Sequence, residues 1–154
     1  MTIKLVKLVA LLLCLAVGLW AADPWLGTWK LNVAKSKLDP GSPLKSSVTT
    51  TEMVGDQMKK TMEPEMTTGE KLKMSWIGKL DGRDYPVQGA PFSRTLAVRV
   101  LSPTVREEIY KSDGRRTITA RGVLAKDGKS MTWRIRGTNT DGSPATGTFV
   151  FEKQ

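Results

Sequence analysis

Residues 113–142 read DGRRTITARGVLAKDGKSMTWRIRGTNTDG, and this stretch decides the fold. Three Asp-Gly pairs, at 113–114, 127–128 and 141–142, bracket two runs rich in alternating and β-branched residues. Asp-Gly supplies the positive φ angles that a type I′ hairpin turn requires, with a twist that matches the flanking strands. Between the last two turns, Met131, Trp133 and Ile135 share one face and Thr132, Arg134 and Arg136 the other, the period of a strand. Strands joined by such turns read as consecutive antiparallel hairpins.

The same punctuation recurs upstream at Gly55-Asp56 and Asp81-Gly82. A first strand is expected over Trp25–Asn32. Val33–Lys45 holds two prolines and a glycine around residue 40 and has room for one helical turn near Val33–Lys37. Ser46–Val54 and Gln57–Met62 form a hairpin, and Glu63–Glu70 is a polar connection broken by Pro64 and Gly69. Leu72, Met74, Trp76, Gly78 and Leu80 then give the cleanest period-two pattern in the chain, one face buried and one solvated. Short pieces follow at Arg83–Val87, around Leu96–Val100, and over Val105–Lys111, Arg116–Ala125, Ser130–Arg136 and Thr146–Lys153. The chain therefore predicts an all-β fold, an antiparallel up-and-down meander barrel of about eight to ten strands. Closure removes exposed strand edges, and a barrel of this size has an interior for side chains or one small ligand. A filled sandwich without a cavity is the competing arrangement.

Lys4 and Lys7 precede the apolar run Leu8–Trp20, the pattern of a secretory leader that is too short to span a bilayer. Residues 1–22 are expected to be removed, leaving residues 23–154 as one secreted or periplasmic domain with no transmembrane segment. Cys14, the chain's only cysteine, goes with the leader, so no disulfide is available; Leu13 before it is not the small residue that a lipoprotein site needs. The full chain carries +9, of which two charges belong to the leader, leaving +7. There is no histidine. That removes Ser-His-Asp and Cys-His catalysis, histidine-ligated metals and imidazole proton shuttles.

Trp25-Leu26-Gly27-Thr28-Trp29-Lys30-Leu31 resembles the opening of the calycin superfamily. Gly-x-Trp is shared with lipocalins, and Gly-Thr-Trp-Lys-Leu is similar to the start of fatty-acid-binding proteins. Lys126–Thr132 followed by Gly137-Thr138 looks like small secreted bacterial proteins described as lipocalin-like. The resemblance implies a barrel floored by Trp29 with an apolar ligand inside. In lipocalins an arginine late in the chain packs on that tryptophan. The last strand here ends Phe151-Glu152-Lys153-Gln154, so Arg121 or Arg136 would have to serve.

The residues themselves offer Met58, Met62, Met74, Trp76, Tyr110, Trp133 and Phe149 as a cavity lining, since methionine and aromatics make adaptable apolar pockets. Plain core packing explains the same residues. Arg99, Arg106, Arg121, Arg134 and Arg136 are candidate anchors for a carboxylate, with Arg121 the expected one to face inward. Six of the aspartates sit in turns, and Glu107 and Glu108 point to opposite faces of one strand, so no acid–base pair forms. No cofactor, metal or nucleic-acid motif stands out; the basic pairs Lys59-Lys60 and Arg115-Arg116 are short and the other charges dispersed. The expectation is a monomeric, non-enzymatic carrier of a small apolar or anionic amphipathic ligand. The alternative is an interaction module that binds a protein or polysaccharide through its outer surface and loops.

Overall fold

A computed structural model describes residues 23–139 and 141–154; the expected leader lies outside the described residues. Eleven strands form in chain order: β1 Gly27–Leu31, β2 Lys37–Leu38, β3 Leu44–Val54, β4 Gln57–Met66, β5 Met74–Gly78, β6 Tyr85–Gln88, β7 Thr95–Ser102, β8 Val105–Ser112, β9 Arg115–Leu124, β10 Ser130–Thr138 and β11 Pro144–Lys153. From β3 to β11 each pairs antiparallel with the next, and β1 pairs with both β3 and β11. The result is a closed ten-stranded antiparallel meander, the architecture that both the hairpin rhythm and the calycin resemblance imply.

β2 is not an eleventh stave. It pairs with β11 at Gly147 and Thr148, while β1 pairs with the same strand at Phe151–Lys153. The two are one broken strand, interrupted by the 3-10 turn Val33–Lys35, whose N-cap Asn32 accepts from the Lys35 N–H. The helical turn expected here is present, set within a strand. β4 also differs from expectation, because it continues through Pro64 to Met66 instead of ending at Met62. Pro64 pairs in register with Ser47, but its carbonyl accepts from Leu72 on the other side. In an antiparallel strand the N and C=O of one residue point the same way, so the β3 ladder asks nothing of the missing N–H.

The turns are of more than one kind. Asp113 and Gly114 both have positive φ, 50° and 74°, as a type I′ turn requires. At Asp81-Gly82, Asp127-Gly128 and Asp141-Gly142 only the glycine is positive. There the aspartate carboxylate instead accepts the backbone N–H two residues on, at Arg83, Lys129 and Ser143, the local bond that makes aspartate a turn former.

Alternation decides what lies inside. One apolar cluster gathers Met58, Met62, Met74, Trp76, Val87, Leu96, Val98 and Tyr110. A second gathers Trp25, Trp29, Ala120, Leu124, Met131 and Trp133, with Ile135, Phe149 and Phe151 against it. The strand directions place segment 23–26, the turns at 55–56, 79–84, 103–104 and 125–129, and the C-terminus at one end of the barrel. This is the entry end, where the chain joins the barrel. Among the described residues no helix is long and apolar enough to cross a membrane.

Candidate functional site

Two places could hold a partner: the barrel interior and the outer wall of β9–β10. Of the nine residues expected to line the interior, seven are buried there. Trp29 and Trp76 have essentially no exposure, and Met58, Met62, Met74, Tyr110 and Trp133 are buried. Phe149 is half-buried against the second cluster. Arg121 is a correction: it is exposed on the outside of β9. The arginine that faces inward is Arg106, two residues along β8 from Glu108 and on the same face.

The interior also holds charged and polar side chains. Lys60, Arg106 and Glu108 are buried with Ser47, Thr49 and Thr51. Lys60 Nζ donates to both Glu108 oxygens at 2.6 and 2.7 Å, and Tyr110 OH donates to Oε2 of the same carboxylate at 2.8 Å. Burial, reinforced by the neighbouring Glu108 charge, pushes the Tyr110 phenol well above its usual range. Lys60 Nζ stands 5.2 Å from the Trp133 ring centre, which adds a cation–π attraction. The Arg106 guanidinium donates to Asp23, reaches Met58 Sδ and lies 4.7 Å from the Trp25 ring centre. Burial lowers its proton affinity, and the Asp23 carboxylate opposes that shift. Its Nε is buried without a partner.

These groups crowd the interior at the entry half of the barrel. The space enclosed by Trp25, Thr49, Lys60, Trp76, Arg106, Glu108, Trp133 and their neighbours is about 20 Å³, room for about one water. Small-molecule pockets run to about 300–1,000 Å³. The predicted lining comes together, and at the entry half it leaves no ligand-sized space. Trp25 closes the entry end, edge-on to Trp133 at 5.8 Å and donating from Nε1 to the Pro103 carbonyl at 3.0 Å. Trp29 donates to the Trp25 carbonyl, and its ring lies 5.1 Å from Lys153 Nζ. Lys153, not Arg121 or Arg136, therefore holds the place over the tryptophan. Gly27 beneath it has φ 119°, a backbone conformation that side-chain-bearing residues rarely adopt, and a Cβ there would also crowd the lysine stem at 3.1 Å.

Parity could have found the polar residues. Lys60 alternates with Met58 and Met62, and Arg106 and Glu108 with Tyr110, so each shares a face with a residue assigned to the interior.

The outer wall differs. Arg121 of β9 stands directly opposite Arg134 of β10, with Glu107 of β8 on the other side of Arg121. Glu107 is bound instead by Arg99 of β7. Among the described residues no carboxylate lies within 4 Å of Arg121, Arg134 or Arg136, although ten ion pairs form elsewhere. Arg121, Val123, Ala125, Thr132 and Arg134 border an open furrow of about 300 Å³. Among the described residues no group of carboxylates or cysteines could hold a metal ion.

No family model and no curated protein matches this sequence. Among solved structures, the chain is similar to EF1p2_mFAP2b, solved bound to DFHBI. Identity is 15%, the TM-score is 0.48, and the match covers 87% of this chain and 97% of that one. It is also similar to lobster apocrustacyanin A1, at 15% identity and TM-score 0.46 over 87% of this chain and 63% of that one. Apocrustacyanin C2 is similar at 15% identity and TM-score 0.45, over 86% and 62%.

Proposed function

We propose that this chain is an exported, non-enzymatic binding protein that works through the outside of its barrel, with the β9–β10 arginine face taking an anionic partner. The observation that carries the reading is the register pairing of Arg121 with Arg134, with no carboxylate on either. Like charges directly opposite one another weaken a ladder, on a scale of about 0.2–1 kcal/mol for such pairs. Glu107 faces Arg121 from β8, but its carboxylate is held by Arg99, so the Arg121–Arg134 pair stands without a counter-charge within bonding reach. Arginine also presents a planar fork suited to carboxylate or phosphate. Against an interior carrier stands the 20 Å³ void. Against catalysis stand the missing histidine and the mutual hydrogen bonding of Lys60, Glu108 and Tyr110 out of reach of solvent. Export rests on the Lys4, Lys7 and Leu8–Trp20 pattern of the leader.

Retention on heparin resin tests the reading. The double variant Arg121→Gln/Arg134→Gln should elute at clearly lower salt than the parent, while Lys59→Gln/Lys73→Gln elutes with the parent. Equal elution of all three would remove the arginine face as the binding surface.

A further inference from the structure

We infer that the anionic partner is the surface of a phospholipid membrane, met by the entry end of the barrel near the β7–β8 and β9–β10 turns. This rests on the outer-face reading above. Among the described residues seven large apolar side chains are exposed, and six of them, Met53, Val54, Ile77, Val100, Leu101 and Val123, lie at or near the entry end, with exposures of 41–48%. The seventh, Val33, is in the 3-10 turn. Single exposed apolar residues are ordinary; their collection at one end of a closed barrel is not.

Their position relative to the arginines is the second observation. Leu101 sits beside the β7–β8 turn, and Val123 pairs with Val105 on the adjoining strand, next to the rim. Arg121 lies two residues further from the rim than Val123 along β9, and Arg134 lies opposite it. Two residues of strand are about 7 Å. A protein surface seated in a bilayer interface buries its apolar side chains about 5–10 Å into the boundary between headgroups and acyl chains. At that depth the guanidinium groups stand level with the phosphates. Elsewhere on the rim the acids are neutralised: Glu52 holds Lys59, Asp56 holds Lys79 and Asp81 holds Arg83. Asp127, between Lys126 and Lys129, is outnumbered. A soluble polyanion would use the arginines and leave the apolar rim unexplained.

The test uses the protein as an exporting cell releases it, mixed with vesicles of phosphatidylcholine alone or with a quarter of phosphatidylglycerol, and separated by sedimentation. Binding should favour the anionic vesicles by tenfold or more and weaken with salt. Arg121→Gln/Arg134→Gln should lower it about 25-fold, about fivefold for each basic residue lost near an anionic surface. Leu101→Ser/Val123→Thr, which removes apolar surface without adding charge, should lower it about tenfold while leaving elution from heparin unchanged. Circular dichroism melting confirms that both variants are folded. Heparin retention without vesicle binding overturns the membrane and leaves the arginine face standing. Indifference to heparin and to both vesicles overturns both readings. Vesicle binding that neither double variant weakens also overturns the inference.

Discussion

The outer walls of β3–β5 and of β9–β10 are built on the same antiparallel ladder and carry similar numbers of cations, but they dispose of them differently. On the first wall and its turns, Lys45, Lys59, Lys73 and Lys79 each meet a carboxylate, Glu65, Glu52, Glu63 and Asp56, at 2.7, 2.9, 3.3 and 2.6 Å. On the second, Arg121, Arg134 and Arg136 meet none. The cation type changes too, from lysine, a compact hydrated charge, to arginine, a fork made for flat anions. The first wall is electrically closed on itself; the second is left open. Solubility would be served equally by either arrangement; on the reading proposed above, the open wall is the one that takes the anionic partner.

The largest expected effect sets the scale for a charge that the fold does require. Glu108→Gln leaves Lys60 buried without its counter-charge and should lower stability in urea by about 3–5 kcal/mol. Glu52→Gln, which frees Lys59 on the closed wall, should cost below about 1 kcal/mol. Similar losses from both would show that the interior pair has no special standing.

A smaller effect of opposite sign is expected on the open wall. Arg134→Thr removes the like charge facing Arg121 and should raise stability by about 0.2–1 kcal/mol. A loss in the same urea experiment would mean that the arginine stems hold the ladder together, and the contrast between the walls would fail.

The smallest effect is a titration. Lys79 and Lys45 hold the Asp56 and Glu65 carboxyls below their ordinary values, by hydrogen bond first and by charge second. A carboxyl lowered on folding adds stability that is present above its unfolded value and lost as pH falls through the folded one. Asp56 is exposed and Glu65 partly exposed, both open to water, so the contribution is slight. Carboxyl NMR titration should show Asp56 below the usual aspartate range in the parent and returned to it by Lys79→Gln. An Asp56 value indifferent to that substitution would dissolve the closed wall.

Much of the fold was legible because the strand period is local. Met74, Trp76 and Gly78 fall inside as their alternation requires, and Arg134 and Arg136 fall outside. Pro64 misled, because proline ends a strand only where its nitrogen is needed, and that depends on which neighbour lies on which side. β2 was invisible: two residues carry no period, and only β11, more than 100 residues away, gives them a partner. The interior was half legible. The apolar residues were found, while Lys60 and Glu108 were passed over because a charge is normally solvated. What permits their burial is each other, 48 positions apart. Whether the centre is filled depends on the summed volumes of four tryptophans and their neighbours, which no spacing encodes. Arg121 was misassigned for a related reason, since its strand and that of Arg106 both carry an arginine of plausible parity.

The seam where β1 meets β11 joins residues 29–31 to residues 151–153. Nearly the whole polypeptide must be available before the cylinder can shut, and contacts between such distant positions make folding slow. Trp29 waits on the same event, since the lysine that covers it lies on the closing strand β11. Loss of residues 151–153 would thus open the circle at the entry end and uncover Trp29, while β2 keeps its hold on Gly147 and Thr148.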